Sequence, residues 1–239
     1  MNEHKKITRK AILLCNDNSL DASEEFKSES DLGLIKCFLT SASGGSFNDD
    51  EISTCKTNDI TRDAIFELID ASDYTFIYFS GHSNFVDRRI QIPLKDGQSI
   101  YESEFIRPNK KQWIFMDCCR SNNPAPNSPK FEVLRKEYSF PGKSEQNRVQ
   151  WENTLNCMNS FYMMYYVTEL ENFAYTNFHG GYGTQKFFIS LMEKLNENSA
   201  FSFEQFVQEI NKDELAVQKS DYILGNLNLQ EFSKLFKLN

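Results

Sequence analysis

Short apolar runs recur along the chain at residues 11–15, 74–80, 113–118 and 161–168. Their apolar positions are consecutive rather than alternating, the pattern of strands covered on both faces. The runs at 74–80 and 113–118 are rich in aromatic and β-branched residues, which strands favour. Residues 51–57 alternate less cleanly and predict a weaker strand, and 222–227 predict a sixth. Helical patterns lie between these runs. Residues 31–39 follow a Ser/Asp/Glu stretch and place Leu34, Ile35, Phe38 and Leu39 on one face. Thr61 can cap a helix over 62–71 whose Ala64, Ile65 and Leu68 point inward. Two more helices are predicted over 184–195 and 203–217, the second introduced by Ser202. Strands alternating with helices specify an α/β fold, a mostly parallel sheet of about six strands between helices, joined by right-handed crossovers. No repeat is visible, and a single domain over 1–239 is expected.

Residues 121–150 break this pattern. They hold four of the six prolines with Asn, Ser, Lys and Arg, and no periodicity is sustained. A long mobile loop is predicted there, starting where the 113–118 run ends. Composition narrows the reading further. Ten Gly and six Pro in 239 residues exclude a low-complexity chain, and 14% aromatic residues exclude a disordered one. A net charge of −8 makes nucleic acid a poor partner. No run approaches the roughly 20 apolar residues of a membrane helix. The apolar run after the basic start is too short for a signal peptide. A cytoplasmic protein with reduced thiols is therefore expected. Its six cysteines show no C-x-x-C spacing, so no zinc site is expected.

The chemistry sits at two strand ends. One run stops at Ser80-Gly81-His82-Ser83 and another at Asp117-Cys118-Cys119-Arg120. The carboxyl ends of parallel strands share one edge, where ligand sites form. A His and a Cys there can act as general acid/base and thiolate nucleophile. Taken singly, each reads as a turn histidine or an inert buried thiol. Matching ends of two aromatic strands make catalysis the sharper reading.

These two motifs resemble the signatures of the caspase-like cysteine peptidases, closest to metacaspases and their bacterial relatives, in which one strand ends S-G-H-G and another D-x-C. Weaker similarities extend the match over nearly the whole chain. Ser30-Asp31 is similar to the family's N-D-A helix start, Gly180-Gly181-Tyr182-Gly183-Thr184 to its G-x-F-T segment, and 217–229 lies where its last strand falls. The resemblance implies a caspase-like fold with His82 as general acid/base and Cys119 as nucleophile. Cys118 is the alternative nucleophile, otherwise a strand residue facing the helices. The implied oxyanion donors are the backbone N–H groups of Cys119 and of Ser83, where the family usually has Gly.

Asp117, Ser80 and Asp31 are implied to line the pocket for the residue before the cleaved bond. Two carboxylates there select a cation, Arg above all for its planar fork. The plainer readings are a loop-fixing carboxylate for Asp117 and a helix cap for Asp31. Arg120 points away by analogy. The expected activity is endopeptidase cleavage after Arg or Lys, on a peptide substrate and with a regulatory protein as a further partner. No cofactor or metal is expected; calcium enters only through the resemblance, since Asp49-Asp50 form no defined calcium loop. His4 and His179 receive no role. Lys130, Arg135, Lys136, Lys143 and Arg148 make 121–150 a candidate self-processing segment. Two other readings stay open: a non-catalytic caspase-like interaction module, and an aspartate-specific caspase.

Overall fold

Every residue of the strand Tyr74–Ser80 is buried, and only the first of Lys111–Asp117 is not. Such strands can exist only in the middle of a sheet with both faces covered. The computed structural model has that arrangement. It describes residues 6–16, 22–121, 140–172, 174, 176–177, 180–196, 202–212, 219–227 and 229–236. In chain order the elements are β1 (Arg9–Cys15), α1 (Ala22–Thr40), β2 (Ile52–Lys56), α2 (Arg62–Asp70), β3 (Tyr74–Ser80), β4 (Asn84–Val86), β5 (Arg89–Pro93), β6 (Ser99–Tyr101) and β7 (Lys111–Asp117). There follow α3 (Glu145–Cys157), β8 (Phe161–Tyr166), β9 (Thr176–Asn177), β10 (Gly180–Gly181), α4 (Tyr182–Asn196), α5 (Phe203–Lys212), β11 (Asp221–Gly225) and α6 (Leu229–Ser233).

The main sheet has six strands in the order β11-β8-β7-β3-β1-β2. All its pairings are parallel except β11 against β8. Alternate side chains feed two cores. On one face Phe76, Tyr78, Trp113, Phe115 and Tyr165 pack with Phe38 of α1, Trp151 of α3, Phe187 and Phe188 of α4, and Phe203 of α5. Edge-to-face contacts such as Phe76–Trp113, with ring centroids 5.0 Å apart, fill this layer. On the other face Ile12, Leu14, Ile77, Phe79, Ile114 and Met116 meet Ile65 and Ile69 of α2 and the small antiparallel sheet β4-β5-β6. The expected α/β fold and its six strands are therefore present. Among the described residues no helix is long and apolar enough to cross a membrane.

Two expectations need correction, and one part of the fold was not foreseen. The helix expected from Asp31 begins at Ala22, so Asp31 lies inside α1 and caps nothing. Its first stretch, ASEEFKSES, holds Phe26 as its only large apolar residue and gives no periodic signal. Second, the segment expected to be structureless to residue 150 is helical from Glu145. Ser144 accepts the Asn147 N–H at 3.3 Å as the cap. Residues 122–139 lie outside the described residues. Residues 84–101 form a three-stranded sheet that no expectation included. Its first turn has Asp87 and Arg88 at φ of 51° and 61°, without the Asn-Gly or Asp-Gly pair that marks such turns. The expected helix over 203–217 is present as α5 to Lys212, and 213–218 lie outside the described residues.

Candidate active site

The parallel register of β3 and β7 pairs Ser80 with Asp117. His82 and Cys119 each lie two residues beyond that pair, at the tips of adjacent strands. Four hydrogen bonds hold the tips together. Gly81 N–H donates to the Asp117 carbonyl at 3.2 Å, and the Ser83 hydroxyl donates to the Cys119 carbonyl at 3.2 Å. From the residue after β1, the Asn16 amide donates to the His82 carbonyl at 2.8 Å, and Asn16 N–H donates to the Ser80 carbonyl at 3.1 Å.

Gly81 makes this approach possible. Its φ of 143° disfavours other residues, and a Cβ there would lie 2.7 Å from the Asn16 Cβ. Ser83, by contrast, is not among the residues with positive φ, so a side chain there introduces no backbone strain. His82 is exposed and Cys119 half-buried, with Cys119 Sγ 3.8 Å from the Ala174 carbonyl. Cys118 is different. It is buried in the second core, where desolvation pushes its thiol well above the usual range. That environment suppresses a thiolate and leaves Cys119 as the reactive candidate of the two.

Arg120 turns away from the tips, as expected. Its guanidinium lies 3.9 Å from the Tyr166 ring centre and donates to the Thr168 carbonyl at 3.0 Å and to Asp221 at 3.2 Å. Its backbone N–H donates to Asn172 at 2.9 Å. The residue after Cys119 is thereby tied to β8 and β11.

The residues expected to line a substrate pocket also come together. The Ser80 hydroxyl donates to Asp31 at 3.1 Å. Asp31 also accepts the Gly181 N–H at 2.8 and 2.9 Å, while Asp117 accepts the Thr184 N–H at 3.2 Å and the Thr184 hydroxyl. Tyr78 shares a hydrogen bond with the same hydroxyl at 2.9 Å. Asp31 and Asp117 are 1% and 4% exposed, so both carboxylates face the start of α4 rather than solvent. A Cβ on Gly181 would collide with the Asp117 carboxylate. The helix's amino end is a natural seat for negative charge. Burial nevertheless dominates. It raises Asp31 well above the carboxylate range, with the Asp117 charge adding and the bonds from Gly181 and Ser80 opposing. It raises Asp117 to about 6 against the bonds from Thr184. Two like charges this close favour sharing a proton.

Sequence reasoning missed Asn16, Tyr78 and the pairing of Asp31 and Asp117 with Gly181 and Thr184. The glycine-rich segment and the two carboxylates were visible separately, but nothing in the sequence spans the 150 positions between Asp31 and Gly181. His4 and His179 lie outside the described residues. Asp49, half of the acidic pair weighed for calcium, pairs with Lys36 at 3.1 Å. Among the described residues no group of three or more His, Cys, Asp or Glu side chains is arranged to hold a metal ion.

Comparison with known proteins bears on the fold. No protein-family model and no curated protein sequence matches the chain. Solved structures do. Caspase-1 from Spodoptera frugiperda superposes with a TM-score of 0.54 at 11% identity, covering 94% of this chain and 88% of that one. A protein from Geobacter sulfurreducens superposes with a TM-score of 0.56 at 15% identity, covering 92% and 94%. The chain has a caspase-like fold along nearly its whole length.

Proposed function

We propose that this protein is a cysteine endopeptidase that cleaves after Arg or Lys. The observation that carries the reading is the β3–β7 register, which sets His82 and Cys119 at matching tips stitched by the Ser83 bond. His82 takes the Cys119 proton, and the thiolate attacks the peptide carbonyl carbon. The N–H groups of Ser83 and Cys119 receive the charge that builds on its oxygen. Collapse breaks the C–N bond as the imidazolium gives its proton to the leaving amine. Water, deprotonated by His82, then splits the thioester and restores the thiol.

The preference for a cation follows from the Asp31–Asp117 pair. A guanidinium beside them stabilises the second negative charge and displaces the shared proton, and its fork matches a carboxylate bidentately. Gly181 and Thr184 occupy these carboxylates in the structure described, so the substrate side chain engages them where that turn gives way. An aspartate-specific pocket needs a cation instead, and Arg120 is already committed to Tyr166, Thr168 and Asp221.

Fluorogenic peptides ending in Arg, Lys or Asp before the reporter test the proposal. Cleavage of the Arg and Lys peptides is expected, with activity lost in Cys119→Ala and a melting temperature close to wild type. Undiminished activity in that variant would remove Cys119 from the mechanism. Turnover of the Asp peptide alone supports the caspase alternative, and no turnover at all supports the interaction module.

A further inference from the structure

At the carboxyl ends of β1 and β2, on the sheet edge that carries His82 and Cys119, lies a cavity of about 440 Å³. Cys15, Leu32, Cys55 and Ile60 supply its apolar walls, and Thr54, Lys56 and Asp59 also line it. The last three are exposed and stand at its mouth. Resting on the peptidase reading above, we propose that this cavity is a substrate subsite. It takes an apolar side chain on the leaving side of the cleaved bond, two to four residues downstream.

Direction comes from the chemistry. The general acid must reach the leaving nitrogen, so the departing half of the substrate lies on the His82 side of the Cys119 sulfur. His82 follows β3 and Cys119 follows β7, and beyond β3 in the same direction come β1 and β2. The departing half therefore runs across the tips of β3 and β1 toward the cavity. The distance fits as well. Neighbouring strands lie about 4.8 Å apart, so the β1–β2 interval is roughly 12 Å from the β7 tip; an extended peptide advances about 3.3 Å per residue. Three or four residues cover that path.

The walls decide what enters. Leu32 and Ile60 are hydrocarbon, and the Cys15 thiol already donates to the Cys55 carbonyl at 3.9 Å. Burial pushes the Cys55 thiol above its ordinary value, which keeps that wall uncharged at neutral pH. Lys56 and Asp59 carry opposite signs at the mouth and set no net charge preference. A cavity of this size accepts any apolar side chain up to an aromatic ring.

The test uses internally quenched peptides with Arg before the bond and Leu, Phe, Gly or Asp at the second, third or fourth downstream position. A peptidyl-Arg coumarin amide, which has no downstream residue, serves as the reference. Wild type is expected to cut the Leu and Phe peptides at least about tenfold faster than the Gly and Asp peptides at one of these positions. Thr54→Trp, which fills the cavity from an exposed strand position, should abolish that preference while leaving the coumarin amide rate unchanged. Cys55→Phe should do the same from another wall. Coumarin amides cut without any downstream preference would overturn the subsite and leave the peptidase reading standing. Loss of the coumarin rate in both variants would overturn the placement, because the cavity would then act on the catalytic centre itself. If neither substrate type is cut by wild type, both readings fall.

Discussion

At the scale of single residues, Asp31 and Asp117 press two carboxyl groups against the amino end of α4. About 0.8 kcal/mol per methylene could be gained there by apolar packing, yet the pocket holds two ionisable groups. Their hydrogen bonds to Gly181, Thr184 and Ser80 satisfy the oxygens, but burial still raises both groups. The consequence for stability has a definite sign. A carboxyl whose folded value lies above its unfolded one holds its proton more tightly in the native state. Its contribution is therefore favourable below the unfolded value and is lost as pH rises through about 6. Asp117→Asn keeps an acceptor for Thr184 and removes the titration. The stability of this variant relative to wild type should rise by on the order of 1–3 kcal/mol between pH 4 and pH 7.5. Urea unfolding at the two pH values measures it, and a constant difference would contradict the raised pair.

At the scale of elements, α3 docks through a buried charge network as well as through Trp151 and Leu155. Arg148 forks onto Glu51 at 2.7 and 2.8 Å and reaches Glu152 at 3.1 Å. Arg9 of β1 joins the same two carboxylates at 3.3 and 3.6 Å, donates to the Gly45 carbonyl at 2.6 Å and stacks 4.5 Å above Phe47. Burial alone pushes Glu51 upward, but bonds from Arg148 and the Asn48 N–H, with the Arg9 charge, outweigh it and hold Glu51 low. Removing one partner of such a group strands the others, so Arg148→Met should cost about 3 kcal/mol at pH 7. The Glu51 contribution is present above its unfolded value and lost as pH falls through the folded one. The gap between variant and wild type should accordingly narrow by pH 3, as paired urea titrations would reveal.

This helix also marks where the sequence stopped being legible. Its contact face depends on Trp151, Leu155 and the charged Arg148, so hydrophobic periodicity does not reveal it. The strands were legible because burial on both faces writes continuous apolar runs. The tips were legible because Ser80-Gly81-His82 and Asp117-Cys118-Cys119 are local strings. The clamp of Gly181 and Thr184 on the two carboxylates was not, since it joins residues far apart through a fold that must first exist.

At the scale of the whole molecule, the sheet order constrains how this protein tolerates being cut. β7 and β8 are adjacent strands, paired from Lys111 with Phe161 to Met116 with Tyr166, while the chain joining them runs through 122–139. A break in that stretch leaves the β7–β8 ladder, the aromatic core and the Arg9–Glu51–Arg148 network intact, so both pieces stay associated. The five basic residues first considered for self-processing then separate into two groups. Lys143 is bonded to Asn48, and Arg148 is buried inside α3, where a protease cannot thread the backbone through its site. Lys130, Arg135 and Lys136 lie outside the described residues and remain the candidates. Incubated wild type should yield fragments ending at one or more of these three positions and none at 143 or 148. The fragments should co-elute in size-exclusion chromatography and separate only in denaturant. Cys119→Ala should keep its full mass under the same conditions. Equal intact masses for the two proteins would reject self-processing, and cleavage at Arg148 would show that α3 leaves the sheet before the chain is cut.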